Sequence, residues 1–338
     1  MGSPADSAVK PSIRIGPVEV ADPVWLAPMS AVTDMPFRRE VKRFGAGMVV
    51  SEMIASQAMI RETRDSLLRA THAPEEAPIA VQLVGCEPEE MAEAARLCED
   101  RGAAIIDVNF GCPAKKVVNG YAGSALMRDE GKAARILEAT VGAVKVPVTL
   151  KMRLGWDDKN RNAPALARIA EETGIQALFV HGRTRSQFFE GKANWAAVRP
   201  VKETTRLPVI VNGDIESEED VRTALDQSGA DGVMIGRGAQ GRPWFLKQVA
   251  HFLKTGERLD EPPAEERLAT LLSHYEGLLA HYGRTIGVRV ARKHLGWYSK
   301  GHAGAAEFRA RVNKMDDPEA VRAAVRALFA EARERRAA

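Results

Sequence analysis

Cysteine is scarce in this chain of 338 residues, which contains three: Cys86, Cys98 and Cys112. Three thiols are too few for a disulfide framework, and their spacing matches neither a zinc ribbon nor a zinc finger. We therefore expect no metal site and a reducing compartment, the cytoplasm, as the location of the protein.

The sequence also lacks a long hydrophobic run and a secretion signal. No stretch approaches the roughly 18 uncharged apolar residues that a membrane-spanning helix requires. Residues 1–6 lack the basic and then apolar pattern of a signal peptide. The sequence therefore predicts no membrane span and no export, with residues 1–12 as a disordered leader.

Net charge is small overall but unevenly distributed. The chain has 48 Lys and Arg against 45 Asp and Glu, a net charge of +3. Residues 284–338 contain 13 basic and 6 acidic residues, a net charge of +7, so the rest of the chain carries −4. A basic segment of this kind indicates a polyanionic partner, although solvated helix faces would give the same count.

Between residues 24 and 237, short β-rich runs alternate with amphipathic helical stretches, which is typical of βα units and a parallel sheet. Eight such units predict a (β/α)8 TIM barrel. A doubly wound sheet is the alternative, but the GxGxxG that would follow its first strand is missing there. The predicted strands are 24–28, 48–52, 79–84, 105–109, 146–152, 177–181, 208–212 and 232–236.

Polar residues end most of the predicted strands, and barrel enzymes build their active sites from these strand ends. They are Glu52, Gln82, Asn109, Lys151, His181, Asn212 with Asp214, and Arg237. The loops after the last two strands form the phosphate-binding position of many barrel enzymes. The sequence therefore predicts an anion site at residues 212–214 and 236–237.

A long Gly-rich loop, 110–127, follows the fourth strand. The strand ends on either side of it are 42 residues apart, whereas other neighbouring ends are 24 to 31 apart. We expect Gly111 to adopt an unusual backbone angle and Pro113 to stiffen the chain, so that Cys112 is held above the barrel mouth. Such a thiol can donate a proton, although a buried cysteine without chemical function is the alternative.

After residue 243 the β-rich runs stop and helical periodicity takes over. Helices are predicted at 264–282, 286–298, 305–314 and 318–335, the last with an aspartate cap and an early proline. We therefore divide the chain into the leader, a barrel domain at 13–243 and an all-helical domain at 244–338.

Residues 107–124, DVNFGCPAKKVVNGYAGS, resemble the signature of the tRNA-dihydrouridine synthase family, flavoenzymes that reduce a uridine in tRNA. The CPAKKV that begins at Cys112 looks like the bacterial B-type branch. Further similar motifs occur along nearly the whole chain: APM at 27, KMR at 151, HGRTR at 181, NGDI at 212, GRGAQGRPW at 236 and RKHLGWY at 292.

The resemblance implies bound FMN and a transient NADPH donor. In the family, NADPH reduces FMN, which passes a hydride from N5 to C6 of uracil while the cysteine, here Cys112, protonates C5 from the opposite side. Lys151 would offset negative charge on the reduced flavin. The implied FMN contacts are Ala27, Pro28, Met29, Gln82, Lys151, His181, Asn212, Gly213, Asp214, Gly236 and Arg237.

The resemblance also implies tRNA as substrate and places Asn109 beside the uracil. Arg153, on the same strand as Lys151, is well placed to contact the base or its phosphate. The base must be extruded from folded RNA, which requires a grip on the phosphate backbone. We expect a monomer whose further tRNA contacts are Lys115, Lys116, Arg183, Arg185, Arg289, Arg292 and Lys293. Trp297 and Tyr298 either stack on bases or belong to the helical core.

Two other functions stay open. An FMN barrel oxidoreductase acting on a small pyrimidine-like substrate would share the phosphate site, but it gives no function to the basic helices. A non-catalytic RNA-binding regulator would need neither Cys112 nor Lys151, and both are present.

Overall fold

Eight parallel strands close into a barrel in the computed structural model, which describes residues 12–337, with side chains to residue 330. The strands are β1 (Ser12–Ile15), β2 (Val18–Ala21), β3 (Val24–Leu26), β4 (Met48–Val50), β5 (Ile54–Ala55), β6 (Ile79–Val84), β7 (Ile105–Phe110), β8 (Val148–Arg153), β9 (Ala177–His181), β10 (Val209–Asn212) and β11 (Gly232–Ile235). The barrel order is β3-β4-β6-β7-β8-β9-β10-β11, and β11 pairs with β3 to close it. The predicted (β/α)8 barrel is confirmed.

Each of the eight predicted strands corresponds to one barrel strand, and two coincide with it at both ends. The structure adds two features that the sequence did not predict. A hairpin of β1 and β2 precedes the barrel, and the two-residue β5 pairs with β6 outside the closed ring. The predicted leader, 1–12, lies outside the described residues except for Ser12, which begins β1.

Side chains alternate between the barrel interior and the surrounding helices, as the two-residue period of a strand requires. On β9, Ala177 and Phe179 pack inside the barrel, whereas Leu178 and Val180 pack against the helices. Ile13 and Ile15 of the hairpin join the interior cluster, together with Trp25. The hairpin therefore fills the barrel interior with apolar side chains beneath the polar strand ends.

Four of the ten helices that surround the barrel begin at a side-chain cap, namely Asp34, Thr63, Asp129 and Ser217. Asp34 accepts a hydrogen bond from the Phe37 amide at 3.1 Å, and Ser217 forms a capping box with Asp220. These helices are α1 (Met35–Arg43), α2 (Ser56–Ile60), α3 (Arg64–Ala70), α4 (Pro88–Asp100), α5 (Lys115–Asn119), α6 (Glu130–Ala143), α7 (Ala163–Glu172), α8 (Arg199–Thr204), α9 (Glu218–Ser228) and α10 (Phe245–Thr255).

Four further helices form a second hydrophobic cluster. They are α11 (Ala264–Tyr282), α12 (Arg284–Tyr298), α13 (Ala305–Val312) and α14 (Pro318–Ala337). In contrast, Phe245, Leu246 and Val249 of α10 pack into the barrel cluster. No helix within residues 12–337 is long and apolar enough to cross a membrane.

Barrel and helical bundle meet closely at the loop after β11. Gly241 has a φ of +74°, and a Cβ at this position would lie 2.5 Å from the Trp297 carbonyl carbon. The Trp244 ring lies between those of Phe44 and Tyr298, with centroids 6.1 and 6.3 Å away. Glycine is therefore required at 241, because a side chain would push the loop away from α12.

Candidate active site at the barrel mouth

A cavity of about 630 Å³ lies at the carboxyl ends of the barrel strands. Strand ends that are far apart in sequence meet there because all eight strands run parallel. The cavity is lined by every predicted cofactor residue, together with Asn109, Cys112 and Arg153 from the other predictions. These residues are Ala27, Pro28, Met29, Gln82, Asn109, Cys112, Lys151, Arg153, His181, Asn212, Gly213, Asp214, Gly236 and Arg237.

A chain of side-chain hydrogen bonds runs across the cavity floor. Asn109 donates to Gln82 Oε1 at 2.7 Å, and Gln82 donates to Asp107 Oδ2 at 2.6 Å. Thr149 Oγ1 donates to the other Asp107 oxygen at 2.7 Å. Because Asp107 at its end offers acceptors, the chain fixes the orientation of both amides.

Lys151 and Asp107 form a buried pair of opposite charge. Burial raises the pKa of Asp107 to about 7 and lowers the pKa of Lys151 to about 8, and each charge partly offsets the effect on the other. Lys151 Nζ donates to Asn212 Oδ1 at 3.1 Å. A lysine that has lost much of its hydration and keeps one hydrogen-bond acceptor favours a negatively charged or polar ligand in the cavity.

The backbone around Cys112 is held from both sides. Asn109 Oδ1 accepts from the amides of Gly111 at 2.9 Å and Cys112 at 2.8 Å. The Cys112 carbonyl accepts from Ser124 N at 3.1 Å and Ser124 Oγ at 2.8 Å. The backbone that carries the half-buried thiol is therefore fixed beside Asn109.

Burial also raises the pKa of the Cys112 thiol, although the Ala114 amide and the positive charges of Arg153 and Lys151 oppose the shift. The thiol consequently holds its proton at neutral pH. This is the protonation state that a proton donor needs.

The expectation for Gly111 is wrong. A Cβ at Gly111 would have its nearest neighbour at 3.6 Å, and the backbone there is not left-handed. The left-handed angle occurs at Gly123, with a φ of +59°, where a Cβ would lie 2.9 Å from the Cys112 carbonyl oxygen. Residues 110–127 are also not wholly a loop, because they contain α5 and most of a 3₁₀ turn at Gly123–Arg128.

The β10 and β11 side of the cavity has a carboxylate held by two arginines. Asp214 accepts from Arg183 at 2.5 and 2.8 Å, from Arg237 at 2.6 Å and from the Ala193 amide at 2.8 Å. Burial alone would raise the pKa of Asp214, but these hydrogen bonds outweigh it and lower the pKa below its usual value. Asp214 therefore stays ionised and fixes the Arg237 side chain beside Gly213.

His181 lies next to this carboxylate and is neutral. Burial and the surrounding positive charges lower its pKa well below 6.5. Arg183 Nη1 lies 3.3 Å from His181 Nε2, and because arginine is only a donor, Nε2 is the accepting nitrogen. Gly213 packs against the same ring, where a Cβ would lie 2.9 Å from Cδ2.

Arg153 and Arg183, both predicted to contact substrate, are buried and hold the loop after β9. Arg153 donates to the carbonyls of Gly111, Thr184 and Phe188 at 2.8 to 2.9 Å. Arg183 donates to the carbonyls of residues 190 and 191 at 3.1 and 2.6 Å. The donors of both guanidinium groups are therefore largely used within the protein.

Three other predicted barrel cations, Lys115, Lys116 and Arg185, do not line the cavity. The two lysines are exposed on α5, in the segment that follows Cys112. Arg185 is half-buried beside the cavity-lining Phe188, with its Cζ 5.4 Å from that ring. All three lie outside the cavity.

The predicted cations of the helical bundle do not line the cavity, and two of them lie near a carboxylate. Arg292 donates to Asp316 at 2.9 Å, and Arg289 lies 3.9 Å from the same carboxylate. Burial lowers the pKa of Lys293. Tyr298 is buried, as expected if it belongs to the helical core.

Sequence reasoning missed several residues of this site. Asp107 lies two positions before Asn109 on β7, so strand alternation could have identified it as an inward-facing carboxylate. Met53, Phe188 and Phe189 line the cavity from loops, and no period in the sequence marks them. Phe189 stands out because its side chain is 55% exposed. The described residues contain no cluster of three His, Cys, Asp or Glu able to hold a metal ion.

Solved structures share this fold at low sequence identity. Histamine dehydrogenase from Rhizobium sp. 4-9 matches with a TM-score of 0.54 and 12% identity, over 80% of this chain and 51% of that protein. An amine oxidase acting on 6-hydroxypseudooxynicotine, from Pseudomonas geniculata N1, matches with a TM-score of 0.55 and 14% identity, over 80% and 53% of the two chains. The chain spans about half the length of these proteins, and the likeness concerns the fold alone.

Sequence relatives are much closer. A protein of Rickettsia bellii (strain RML369-C) called "Probable tRNA-dihydrouridine synthase" is 58% identical over 311 residues, 92% of this chain and 95% of that protein. Two proteins called "tRNA-dihydrouridine synthase B" are also similar. That of Xanthomonas axonopodis pv. citri (strain 306) is 55% identical over 317 residues, and that of Pseudomonas aeruginosa is 50% identical over 319, each match covering 94% of this chain and 96% of the relative.

The sequence model of the family "Dihydrouridine synthase (Dus)" matches residues 25–333. This range includes nearly all of the barrel and of the helical bundle. The resemblance seen in the motifs is thereby confirmed, and the chain belongs to the dihydrouridine synthase family of oxidoreductases, in its B-type branch.

Proposed function

We propose that this protein reduces uridines in tRNA to 5,6-dihydrouridine, with FMN as bound cofactor and NADPH as reductant. The observation that carries the proposal is the content of one cavity: the protonated thiol of Cys112, the ammonium of Lys151 and the polar end around Gly213 and Arg237. The names of the relatives agree with this activity.

The cavity residues fit FMN in size and chemistry. A volume of about 630 Å³ lies within the usual range of cofactor sites, about 300 to 1,000 Å³. Gly213 brings its backbone close to the Ala193 side chain and the His181 ring, since a Cβ there would lie 2.9 Å from both. Arg237, 49% exposed and bonded to Asp214, supplies positive charge for a phosphate.

The remaining proposed FMN contacts divide by chemistry. Lys151 carries the positive charge that suits a reduced flavin, and the oriented Gln82 amide is available for a polar ring edge. Backbone of residues 27–29 lines the same cavity. When bound, FMN supplies the hydride that reaches C6 of the uracil.

Cys112 supplies the proton in this proposal. Its thiol is protonated at neutral pH, since burial raises its pKa, and its backbone is fixed through Asn109 and Ser124. The Sγ–H bond breaks as C5 of uracil gains the proton, and solvent restores the thiol. Asn109 contacts the uracil from beside the thiol, and Arg153 positions this loop through the Gly111 carbonyl.

The helical bundle is the proposed tRNA-binding part. Packing of α10 on the barrel favours a domain boundary between α10 and α11 rather than at residue 243. The basic residues of α12 and α13 and the exposed Lys115 and Lys116 would contact the phosphate backbone. A single chain would act on tRNA in the cytoplasm, the compartment that the low cysteine count favours.

The experiment that tests the function combines flavin spectroscopy with tRNA analysis. The purified protein should show flavin absorbance that NADPH bleaches anaerobically, and dihydrouridine should appear when tRNA lacking the modification is added. Reduction of free pyrimidines instead of tRNA would identify the small-substrate oxidoreductase. Tight tRNA binding by a protein that never retains flavin would identify the non-catalytic regulator.

A further inference from the structure

Four side chains beside the barrel mouth form an alternating stack of cations and rings. The Arg128 guanidinium lies 4.7 Å from the Trp156 ring centroid, and the Arg185 guanidinium lies 4.6 Å from the same centroid. Arg185 also lies 5.4 Å from the Phe188 ring. We call Arg128, Trp156, Arg185 and Phe188 the arginine–tryptophan stack. Distances below 6 Å are those of cation–π contacts.

The stack extends from the 3₁₀ turn that contacts the Cys112 backbone to the wall of the cavity. Arg128 ends the 3₁₀ turn in which Ser124 donates twice to the Cys112 carbonyl. At its other end, Phe188 lines the cavity, and the Phe188 carbonyl accepts from Arg153 at 2.8 Å. The stack therefore extends from an exposed arginine to the place where the base must enter.

Backbone hydrogen bonds fix the centre of the stack. The Arg185 amide donates to the Gly155 carbonyl at 2.9 Å, and the Ser186 amide donates to the Trp156 carbonyl at 2.9 Å. Gly155 is required here, because its φ is +155° and a Cβ would overlap the Asn160 carbonyl oxygen at 2.0 Å. Trp156 and Arg185 are thus held at neighbouring positions by the main chain, before any ligand binds.

The two arginines of the stack have no carboxylate partner within residues 12–330. Other arginines near them do have a carboxylate partner: Arg161 pairs with Asp158, and Arg183 pairs with Asp214. Arg185 Nε is buried and has no hydrogen-bond partner among the side chains that the structure describes. A guanidinium held over a ring face by cation–π contact still has N–H donors with which to bind phosphate oxygens.

We propose that the arginine–tryptophan stack binds backbone phosphates of the RNA nucleotides that flank the target uridine. The proposal rests on the proposed function and extends it to a defined subsite. Phosphate could also come from NADPH. The extended path from the exposed Arg128 to the cavity, continued by the exposed lysines of α5, suits a polymer better than a small donor. Two separate guanidinium groups would then neutralise two phosphates.

The test compares Arg128→Gln, Arg185→Gln and the double variant with Arg96→Gln. Arg96 is exposed on α4, so its variant loses the same charge from the barrel wall. Each loss of a phosphate contact should reduce the slope of log Kd for tRNA against log salt by about 0.7 to 0.9. Over one decade of salt this difference in slope corresponds to a factor of roughly six, so a variant that matches the wild type at 1 M salt should bind tRNA about sixfold more weakly than the wild type at 0.1 M. Arg96→Gln should leave the slope unchanged.

Trp156→Leu separates orientation from charge. It keeps both arginines, so we expect the salt slope to stay near that of the wild type while KM for tRNA rises several-fold. Arg185→Lys should also fail to restore native KM, because an ammonium lacks the planar fork. Native KM in both variants would overturn the oriented stack.

Two results would overturn the RNA assignment. One is a salt slope in the double variant equal to that of Arg96→Gln. The other is slower bleaching of the flavin by NADPH with unchanged tRNA binding, which would assign the phosphate to the reductant. Flavin content reports folding, and the exposed Arg128 variant carries the test if Arg185→Gln does not fold. Failure of the wild type to form dihydrouridine would refute the proposed function. The salt slopes come from binding alone, so they test the arginine–tryptophan stack independently of turnover.

Discussion

Replacing Cys112 by alanine removes one half-buried thiol while leaving the contacts that hold its backbone. The Cys112 amide still donates to Asn109, and its carbonyl still accepts from Ser124. We therefore expect the free energy of unfolding to fall by only about 1 kcal/mol, the usual size for a point substitution. The flavin content should match that of the wild type, since the proposed FMN contacts are unchanged.

The effect on catalysis should be much larger. A positioned general acid accelerates a reaction by about 10² to 10⁴, which corresponds to roughly 3 to 5 kcal/mol of activation free energy. In the wild type, burial raises the pKa of Cys112 above its ordinary value of 9.0. The thiol therefore stays protonated through neutral pH, and its own deprotonation should slow uridine reduction only above pH 9, in addition to the loss near pH 8 that deprotonation of Lys151 causes.

The assay separates the two half-reactions. NADPH is mixed anaerobically with the oxidised enzyme, flavin bleaching is followed, and tRNA is then added for a single turnover with dihydrouridine quantified. Bleaching should be native in Cys112→Ala, and uridine reduction should be slower by the factor above. Cys86→Ala is the matched control, because Cys86 is also a half-buried thiol but does not line the cavity. Native uridine reduction by Cys112→Ala would refute the proton-donor assignment.

Three further predictions concern the framework of the site. Asp107→Asn removes the negative charge that raises the pKa of Lys151. The Lys151 ammonium should then lose its proton at lower pH, and uridine reduction at pH 8 should slow roughly tenfold. A pH–rate profile equal to that of the wild type would contradict this prediction. Gly213→Ala forces a side chain onto a φ of +117° and into contact at 2.9 Å, which should cost about 1 to 3 kcal/mol and most of the bound flavin. Gly142→Ala, where nothing lies within 4 Å of a Cβ, is its control, and equal flavin retention in the two variants would count against a function of Gly213 in flavin binding. Arg183→Met leaves a partly buried carboxylate without its main partner, and urea denaturation should show a loss of about 3 to 5 kcal/mol; a loss below 1 kcal/mol would show that the pair is dispensable.

The barrel could be predicted from sequence because each of its parts has a local signal. A buried strand such as β6 or β9 shows as a short apolar run, and its bounds were predicted without error at Ile79–Val84 and Ala177–His181. Polar residues at strand ends then locate the site, because parallel strands place all these ends at one face. The β1–β2 hairpin was missed because two four-residue strands resemble an irregular segment when their packing partners are unknown.

The functions of individual side chains could be predicted from sequence only in part. Cys112 and Lys151 were identified from sequence because their residue types are unusual at a strand end or in a Gly-rich loop. Arg153 and Arg183 have equally visible residue types, yet the structure shows that their donors are used by backbone carbonyls and by Asp214. The sequence shows that a charged side chain is present. The number of its N–H donors that stay free depends on neighbouring residues from other strands, helices and loops.

Local sequence patterns are therefore enough to predict the order of the strands, the residue types at their ends and the family. The availability of these side chains to a ligand depends on packing between elements, which the folded structure shows. Arg128, Trp156 and Arg185 illustrate the reason, because they come from three separate loops. Each residue is unremarkable along the chain, and their shared property, a stacked and unpaired pair of cations, arises when barrel closure brings the loops together.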